Sequence, residues 1–334
     1  MKSTRKFTLI GIVMIMLMLM VFTACQAKND PPAPAPANPG AEVEQIDYPK
    51  DKISVLVHQQ AGGAVDVTTR LICDYLQKEL GVPVVIENVT GAGGRKAFAD
   101  VYADKSGGYV LSSVNIPTLP IGEVVFDGAY DSLQTTYISS WVDAGHVIAV
   151  KDDSSIKDFN DFVEKLKTDR VTIGTFGRGS SSHLQIETLL NTLDTKNGAL
   201  VHFDGGASNM AALVGKNVDV SITGYGSFAR TEGVRAIAVV DNARVDGIDA
   251  PTVGELGYNV PVLSEVYGLI GPPGMEPEKV KRLEELIEKA SKDPTIIEQF
   301  KKLQYEVEYK NTATFTDLGK KYYESVKEYQ DLLK

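Results

Sequence analysis

Apolar residues fall along this chain in short bursts that alternate between two spacings. Runs of five to seven residues, most of them β-branched, read as strands covered on both faces: ISVLV (53–57), VVIEN (84–88), YVLSSV (109–114), HVIAV (146–150), VTIGT (171–175), ALVHF (199–203), VDVSI (218–222) and VRAIAVV (234–240). Between them apolar positions recur every three to four residues, which predicts helices over 67–80, 95–103, 158–168, 182–193 and 207–215. Such alternation implies α/β lobes whose sheets are mixed but mostly parallel and flanked by helices. Later in the chain the pattern becomes mainly helical. Pro277 and Pro294 stand where helices begin, Asp293 is a candidate N-cap, and Val280, Leu283, Ile287 and Ala290 repeat at helical spacing. Residues 314–334 read as one more helix.

The N-terminus follows neither pattern. Lys2, Arg5 and Lys6 precede the apolar run 7–24, which closes on Ala24 immediately before Cys25. This is the layout of a secretory leader over 1–24, processed as a lipoprotein so that Cys25 becomes the acylated N-terminus; an uncleaved anchor helix is the alternative. Residues 25–47, rich in Pro and Ala, bury nothing and are expected to form an extended tether of up to roughly 60 Å. On this reading the body lies outside the cytoplasm, lipid-anchored to the outer face of the cell membrane. It is expected to divide into a first lobe (48–150), a second lobe (151–262) and a C-terminal segment (263–334) returning to the first.

Charge and cysteine usage narrow the classes. The chain has 34 basic and 44 acidic residues, and loss of the three leader cations leaves it at −13. That balance argues against nucleic acid and against a polybasic membrane patch. Only Cys25 and Cys73 are present, so no disulfide framework is available, and Cys73 is expected to be a buried structural thiol. No His/Cys spacing suits zinc. GAGGRK (91–96) lacks the third glycine of a dinucleotide fingerprint, and no phosphate-binding G-x-x-x-x-G-K-[ST] occurs. G-x-S-x-G is absent, and the S-x-x-K at 154–157 lacks its usual companions. No catalytic residue, cofactor or metal is expected, and an extracytoplasmic enzyme is only a distant alternative.

What recurs instead is glycine after strands: AGGAVD (61–66), TGAGGRK (90–96), GTFGRGSSSH (174–183) and DGGAS (204–208). In α/β sheets such loops gather at the carboxyl ends of strands, where helix N-termini offer free N–H groups to an anion. The candidate ligand residues are Gln60, Ala61, Gly62 and Gly63 in the first loop, with Arg178, Gly179, Ser180 and Ser181 in the third. Asp204 and Gly205 follow in the fourth, and Asn115 joins them from the end of a strand. Arg178 offers a bidentate bond to a carboxylate. His183 is either a helix-start hydrogen bonder or a ligand contact. Asp66 either orders its own loop or accepts an ammonium group.

The stretch 48–94, with Tyr48-Pro49, an apolar strand, AGGAVD, a helix ending Leu80-Gly81, VVIEN and GAGG, resembles the N-terminus of the substrate-binding receptors of tripartite tricarboxylate transporters, the Bug family. The likeness continues through GYVL (108–111), GSSSHL (179–184), GKNVDVSI (215–222), RAIAVV (235–240), PTVGELG (251–257) and LIGPPGMEP (269–277). The resemblance implies a two-lobed periplasmic-binding-protein-like fold of type II with the ligand cleft between lobes. It also implies a small carboxylate ligand and a permease of one large and one small membrane subunit; a monomer is expected. Ala61, Gly62, Gly63 and Asp66 would face Gly179, Ser180, Ser181 and His183 across the cleft. Two departures bear on the ligand. His58-Gln59-Gln60 replaces the family's P-F-P, and VHFDG (201–205) replaces V-P-Y-K-G. They point to a monocarboxylate or an amino-acid-like zwitterion, with Asp204 or Asp66 near its ammonium. A ligand-sensing lipoprotein feeding a two-component sensor is the alternative.

Overall fold

The computed structural model describes residues 47–334; the expected leader, Cys25 and all but the last residue of the tether lie outside the described residues. Two five-stranded sheets carry the chain. The first contains β1 (Ile53–Val57), β2 (Val84–Asn88), β3 (Val110–Ile116), β4 (Thr136–Ala144) and β10 (Glu265–Gly271), in the order β2-β1-β3-β10-β4. The second contains β5 (His146–Lys151), β6 (Val171–Thr175), β7 (Gly198–His202), β8 (Val220–Gly224) and β9 (Val234–Val240), in the order β7-β6-β8-β5-β9. The two share one design. Three strands run parallel, and the fourth position holds an antiparallel strand, β10 in the first sheet and β5 in the second.

The chain passes from the first sheet to the second at Gly145, between β4 and β5. All of His146–Lys151 pairs with β8 and β9, so the division expected at 150/151 falls at the wrong end of β5. The apolar run at 146–150 identifies a strand but not the sheet that takes it. The return passage follows β9 and ends in β10, which is hydrogen-bonded between β3 and β4.

Helices form where the spacing places them. α1 (Ala64–Leu80) buries Val65, Thr69, Ile72, Cys73 and Leu76 and stops at Gly81, whose φ of 71° is the left-handed conformation that glycine adopts without penalty. α2 (Arg95–Ala103), α3 (Thr118–Val124), α4 (Phe159–Thr168), α5 (Ser181–Thr192), α6 (Gly206–Val214) and α7 (Tyr225–Ala229) follow. α8 (Pro277–Lys292) begins on proline and buries Val280, Leu283, Ile287 and Ala290. Asp293 caps α9 (Pro294–Lys302), accepting from the N–H of Thr295 at 2.7 Å. α10 (Thr312–Tyr329) and α8 pack against β4. One apolar cluster fills the second sheet's helical face around Phe159, Phe162, Ile173 and Leu189. Two others cover the first sheet, around Ile72, Trp141 and Phe300 and around Phe98, Ile116 and Phe315, the former continuing onto the second sheet through Val147, Met210 and Val239. No helix of the described residues is long and apolar enough to cross a membrane.

Candidate functional site

The glycine-rich loops converge. Those after β1, β2, β6 and β7 line one cleft of about 1020 Å³ that draws residues from both halves of the protein. Each loop ends as the N-cap of a helix: Gly63 for α1, Gly94 for α2, Ser180 for α5 and Gly205 for α6. All four N-caps line the cleft. Three are glycines with no side chain to satisfy their own helix, which leaves first-turn amides of α2 and α6 available to an anion, while in α1 the Val65 N–H donates to Gln59 Oε1 at 3.4 Å. Gly205 has φ +151° with nothing within 4 Å of a notional Cβ, so backbone conformation rather than crowding calls for glycine there.

Of the sequence candidates, Gln60, Ala61, Gly62, Gly63, Arg178, Ser180, Asp204 and Gly205 border the cleft. Asp66, Asn115, Gly179, Ser181 and His183 stand behind it. Asp66 is 1 % exposed. Its Oδ2 accepts from the N–H of Gly62 at 2.8 Å and Nε of Arg70 at 2.9 Å; its Oδ1 accepts from Nη2 of Arg70 and Nδ2 of Asn88, each at 2.8 Å. Burial opposes the carboxylate, but the bonds from Arg70, Asn88 and Gly62 outweigh it and hold the group below the usual range. Of the two roles open to Asp66, the structure selects the ordering of its own loop: every oxygen is occupied, leaving none for a ligand's ammonium.

His183 has a parallel task in the opposite loop. Its Nδ1 accepts from the N–H of Gly179 at 3.0 Å, and its ring meets that of His202 edge-on at 4.5 Å. Gly179, with φ +79°, packs so closely on Phe126 that a Cβ would run into the ring. Phe126 belongs to the first half and Gly179 to the second, so this contact joins the two sides near the cleft. The serine hydroxyls are also engaged. Ser180 Oγ donates to the carbonyl of Gly177 at 2.7 Å, and Ser181 Oγ donates to Glu265 Oε1 at 3.3 Å.

Charged groups that sequence reasoning did not single out complete the lining. Arg95 follows Gly94 directly, and Arg230 lies just beyond α7; with Arg178 they put three guanidiniums around the cleft. None of the three pairs with an Asp or Glu side chain among the described residues. Arg95 and Arg178 instead lie over the Phe126 ring, at 4.8 and 5.8 Å. Arg178 also donates from Nη2 to the carbonyl of Lys334 at 3.3 Å. Against them stand two carboxylates, Asp204 and Glu265. Glu265 heads β10 and is 2 % exposed; Asn115 donates to its Oε1 at 3.0 Å. His58 also borders the cleft, and burial holds its pKa down at about 4, so the ring is neutral at physiological pH. In the sequence Arg95 is marked by its place in GAGGRK, and Glu265 only as an acid at the head of an apolar strand. Nothing there marks Arg230.

No group of three or more His, Cys, Asp or Glu side chains suited to a metal occurs among the described residues. Among the described residues the one histidine that borders the cleft, His58, bonds through Nδ1 to the carbonyl of Ser113 and to no lining hydroxyl. The cleft's chemistry is that of holding an anion: helix N-termini from both halves, three guanidiniums, and a net lining charge of one positive if both acids are ionised.

A family model described as TctC, tripartite tricarboxylate transporter family receptor, matches residues 68–329. An Agrobacterium vitis protein, the UPF0065 protein in the TAR-I ttuE-ttuC' intergenic region, is 31 % identical over 277 residues, covering 79 % of this chain and 78 % of its own. Protein BugT of Bordetella pertussis is 27 % identical over 277 residues, covering 79 % of this chain and 83 % of its own. A solved periplasmic transporter superposes with a TM-score of 0.79 at 26 % identity, over 86 % of this chain and 100 % of that one.

Proposed function

The chain belongs to the tripartite tricarboxylate transporter receptor family, and from that premise we propose that it captures a small carboxylate solute outside the cytoplasm and delivers it to a membrane permease with one large and one small subunit. The observation that carries this reading is the set of four helix N-termini and three guanidiniums without an Asp or Glu partner among the described residues, drawn from both halves of the protein, around one cleft. Hydrogen bonds to a charged group contribute roughly 1.5–3 kcal/mol each. Four or five of them therefore suffice, after ordering costs, for the roughly 8 kcal/mol of a micromolar complex.

Because the donors are divided between two sheets, a bound carboxylate favours the arrangement in which the halves approach. The chain crosses between sheets at Gly145, whose N–H donates to Tyr225 Oη at 3.0 Å and Asp241 Oδ2 at 3.1 Å. A lobe of residues 48–144 completed by 263–334 would then swing against one of 146–262. Processing at Cys25 would leave the receptor on a lipid tether within reach of the permease.

The lining charge favours a ligand of low net negative charge over a tricarboxylate. A monocarboxylate or an amino-acid-like zwitterion fits; citrate would leave charge uncompensated. The test is native mass spectrometry of the full chain purified in detergent, to identify co-purified solute, followed by a thermal-shift panel of mono-, di- and tricarboxylates and amino acids. A melting temperature unmoved by every carboxylate would remove the proposal.

A further inference from the structure

Of the two lining carboxylates, which an anion cradle does not explain, Glu265 is the buried one. It stands where β10 enters the first sheet, at the seam between halves. Asn115 of β3 donates to its Oε1 from one side and Ser181 of α5 from the other. Ser181 Oγ in turn lies 3.3 Å from Nε2 of His146. With the serine proton given to Glu265, the imidazole Nε2–H donates to the serine, so the chain of donors ends on one carboxylate oxygen. That polarity suits an ionised carboxylate, since a protonated one would need an acceptor.

The second oxygen is differently placed. Oε2 is directed at Gly224, where a Cβ would collide with it, and besides Asn115 and Ser181 only the Tyr267 hydroxyl donates to this carboxylate among the described residues. Tyr267 and Tyr305 flank it, both lining the cleft with rings 6.0 Å apart. The Tyr305 hydroxyl is buried without a partner. No lysine or arginine of the described residues lies within ion-pair distance of Glu265. The groups that do face it are Asn115, Ser181, Gly224, Tyr225 and the two tyrosines, none of them cationic; Arg230, which also lines the cleft, donates to the carbonyl of Leu303 at 3.3 Å and makes no ion pair with Glu265. A carboxylate so deeply buried without a counter-charge is costly, and the cost is relieved when a cation enters.

Resting on the receptor reading above, we propose that Glu265 Oε2, with the tyrosine pair, accepts a protonated amino group of the ligand, so that the solute is an amino acid or a close relative whose carboxylate lies in the amide cradle. The specificity for an amine resides in Glu265, and neither Asp66 nor Asp204 supplies it. Burial holds the unliganded carboxyl at about 7, so the preference for amines weakens as protons compete for Oε2.

The test uses the full chain in detergent, freed of ligand by reversible denaturation. Calorimetry compares matched pairs that differ only in the amino group: alanine with propionate, aspartate with succinate, glutamate with glutarate, phenylalanine with 3-phenylpropionate. In the wild type the amino member of at least one pair is expected to bind ten-fold or more tightly than its partner at pH 8. That preference should fall about ten-fold at pH 6, as titration of one group near 7 requires. Glu265→Gln should abolish the preference while still binding the desamino acid; the wild-type pH arm stands independently should this variant fail to fold. Desamino acids that bind as well as their amino partners, or a preference that survives in Glu265→Gln or is insensitive to pH, would overturn the assignment and leave the receptor reading standing. Absence of binding by any carboxylate would overturn both.

Discussion

Replacing Glu265 with glutamine should stabilise the ligand-free protein at pH 8 and leave it nearly unchanged at pH 4.5. Burial is the largest influence on this carboxyl; hydrogen bonds from Tyr267, Asn115 and Ser181 oppose it only in part, and the group titrates at about 7 instead of 4.5. The difference corresponds to about 3 kcal/mol. Its sign follows from proton counting. Between 4.5 and 7 the folded protein retains a proton that the unfolded chain has released, so stability is fully present below 4.5 and is lost as pH rises through about 7. His58 and His146 work in the opposite direction. Burial lowers them to about 4 and about 3, so the unfolded chain takes up protons first and stability declines as pH drops below 6.5. The raw pH profile is therefore a composite, and the wild-type-minus-variant difference isolates Glu265. Glutamine keeps an oxygen for Asn115 and Ser181, so the substitution removes the charge with little loss of bonding. Urea unfolding of both proteins from pH 4.5 to 9 should give a difference growing to about 2–3 kcal/mol, or roughly 4–8 °C in Tm. A flat difference curve, or a variant less stable than wild type at pH 8, would refute the claim that this carboxylate is buried without compensation.

Asp66→Ala removes the acceptor of four hydrogen bonds and frees the Gly62 amide; it should cost about 2 kcal/mol in urea unfolding and weaken carboxylate binding more than ten-fold by calorimetry, although Asp66 stands behind the cleft lining. Gly179→Val places a branched side chain at φ +79° against Phe126; about 1–3 kcal/mol of stability should be lost, together with the ligand-induced rise in melting temperature, and a variant that keeps that rise would separate the Phe126 contact from closure. Cys73 is buried, and burial pushes its thiol pKa up, so peptide mapping should find it unmodified by iodoacetamide in the native protein and fully alkylated after denaturation.

Most strands and helices were legible because each apolar run meets a partner of the same kind. Residues 117–144 were not. β4 carries Ser139 and Ser140 inside a run of buried residues, and such serines break the apolar continuity by which a covered strand is recognised. The glycine loops announced the cleft because glycine there has a backbone reason that any α/β chain shares. What they could not announce is which side chains turn inward. Asp66 was ambiguous between ordering its loop and binding a ligand, and only its contact with Asn88, 22 residues away, decides the matter. Glu265 was harder still: its donors Asn115 and Ser181 are 150 and 84 residues distant, so its burial is a property of the tertiary fold alone.

The same topology accounts for both the cleft and its buried acid. In each sheet the three parallel strands direct their carboxyl ends, and hence their helix N-termini, toward the other half, which concentrates positive potential between them. A site made only of such ends would take any small anion. The fourth strand of each sheet runs antiparallel to these three. β10 therefore starts where they finish, and its first residue, Glu265, is delivered to the cleft by chain direction. β5 brings His146 there in the same way, one hydrogen bond behind Ser181. The crossing strands thus connect the halves and place a buried carboxyl group, that of Glu265, opposite the amides. On the proposed reading selectivity and closure would be linked, because a ligand that meets both ends would also bridge the seam.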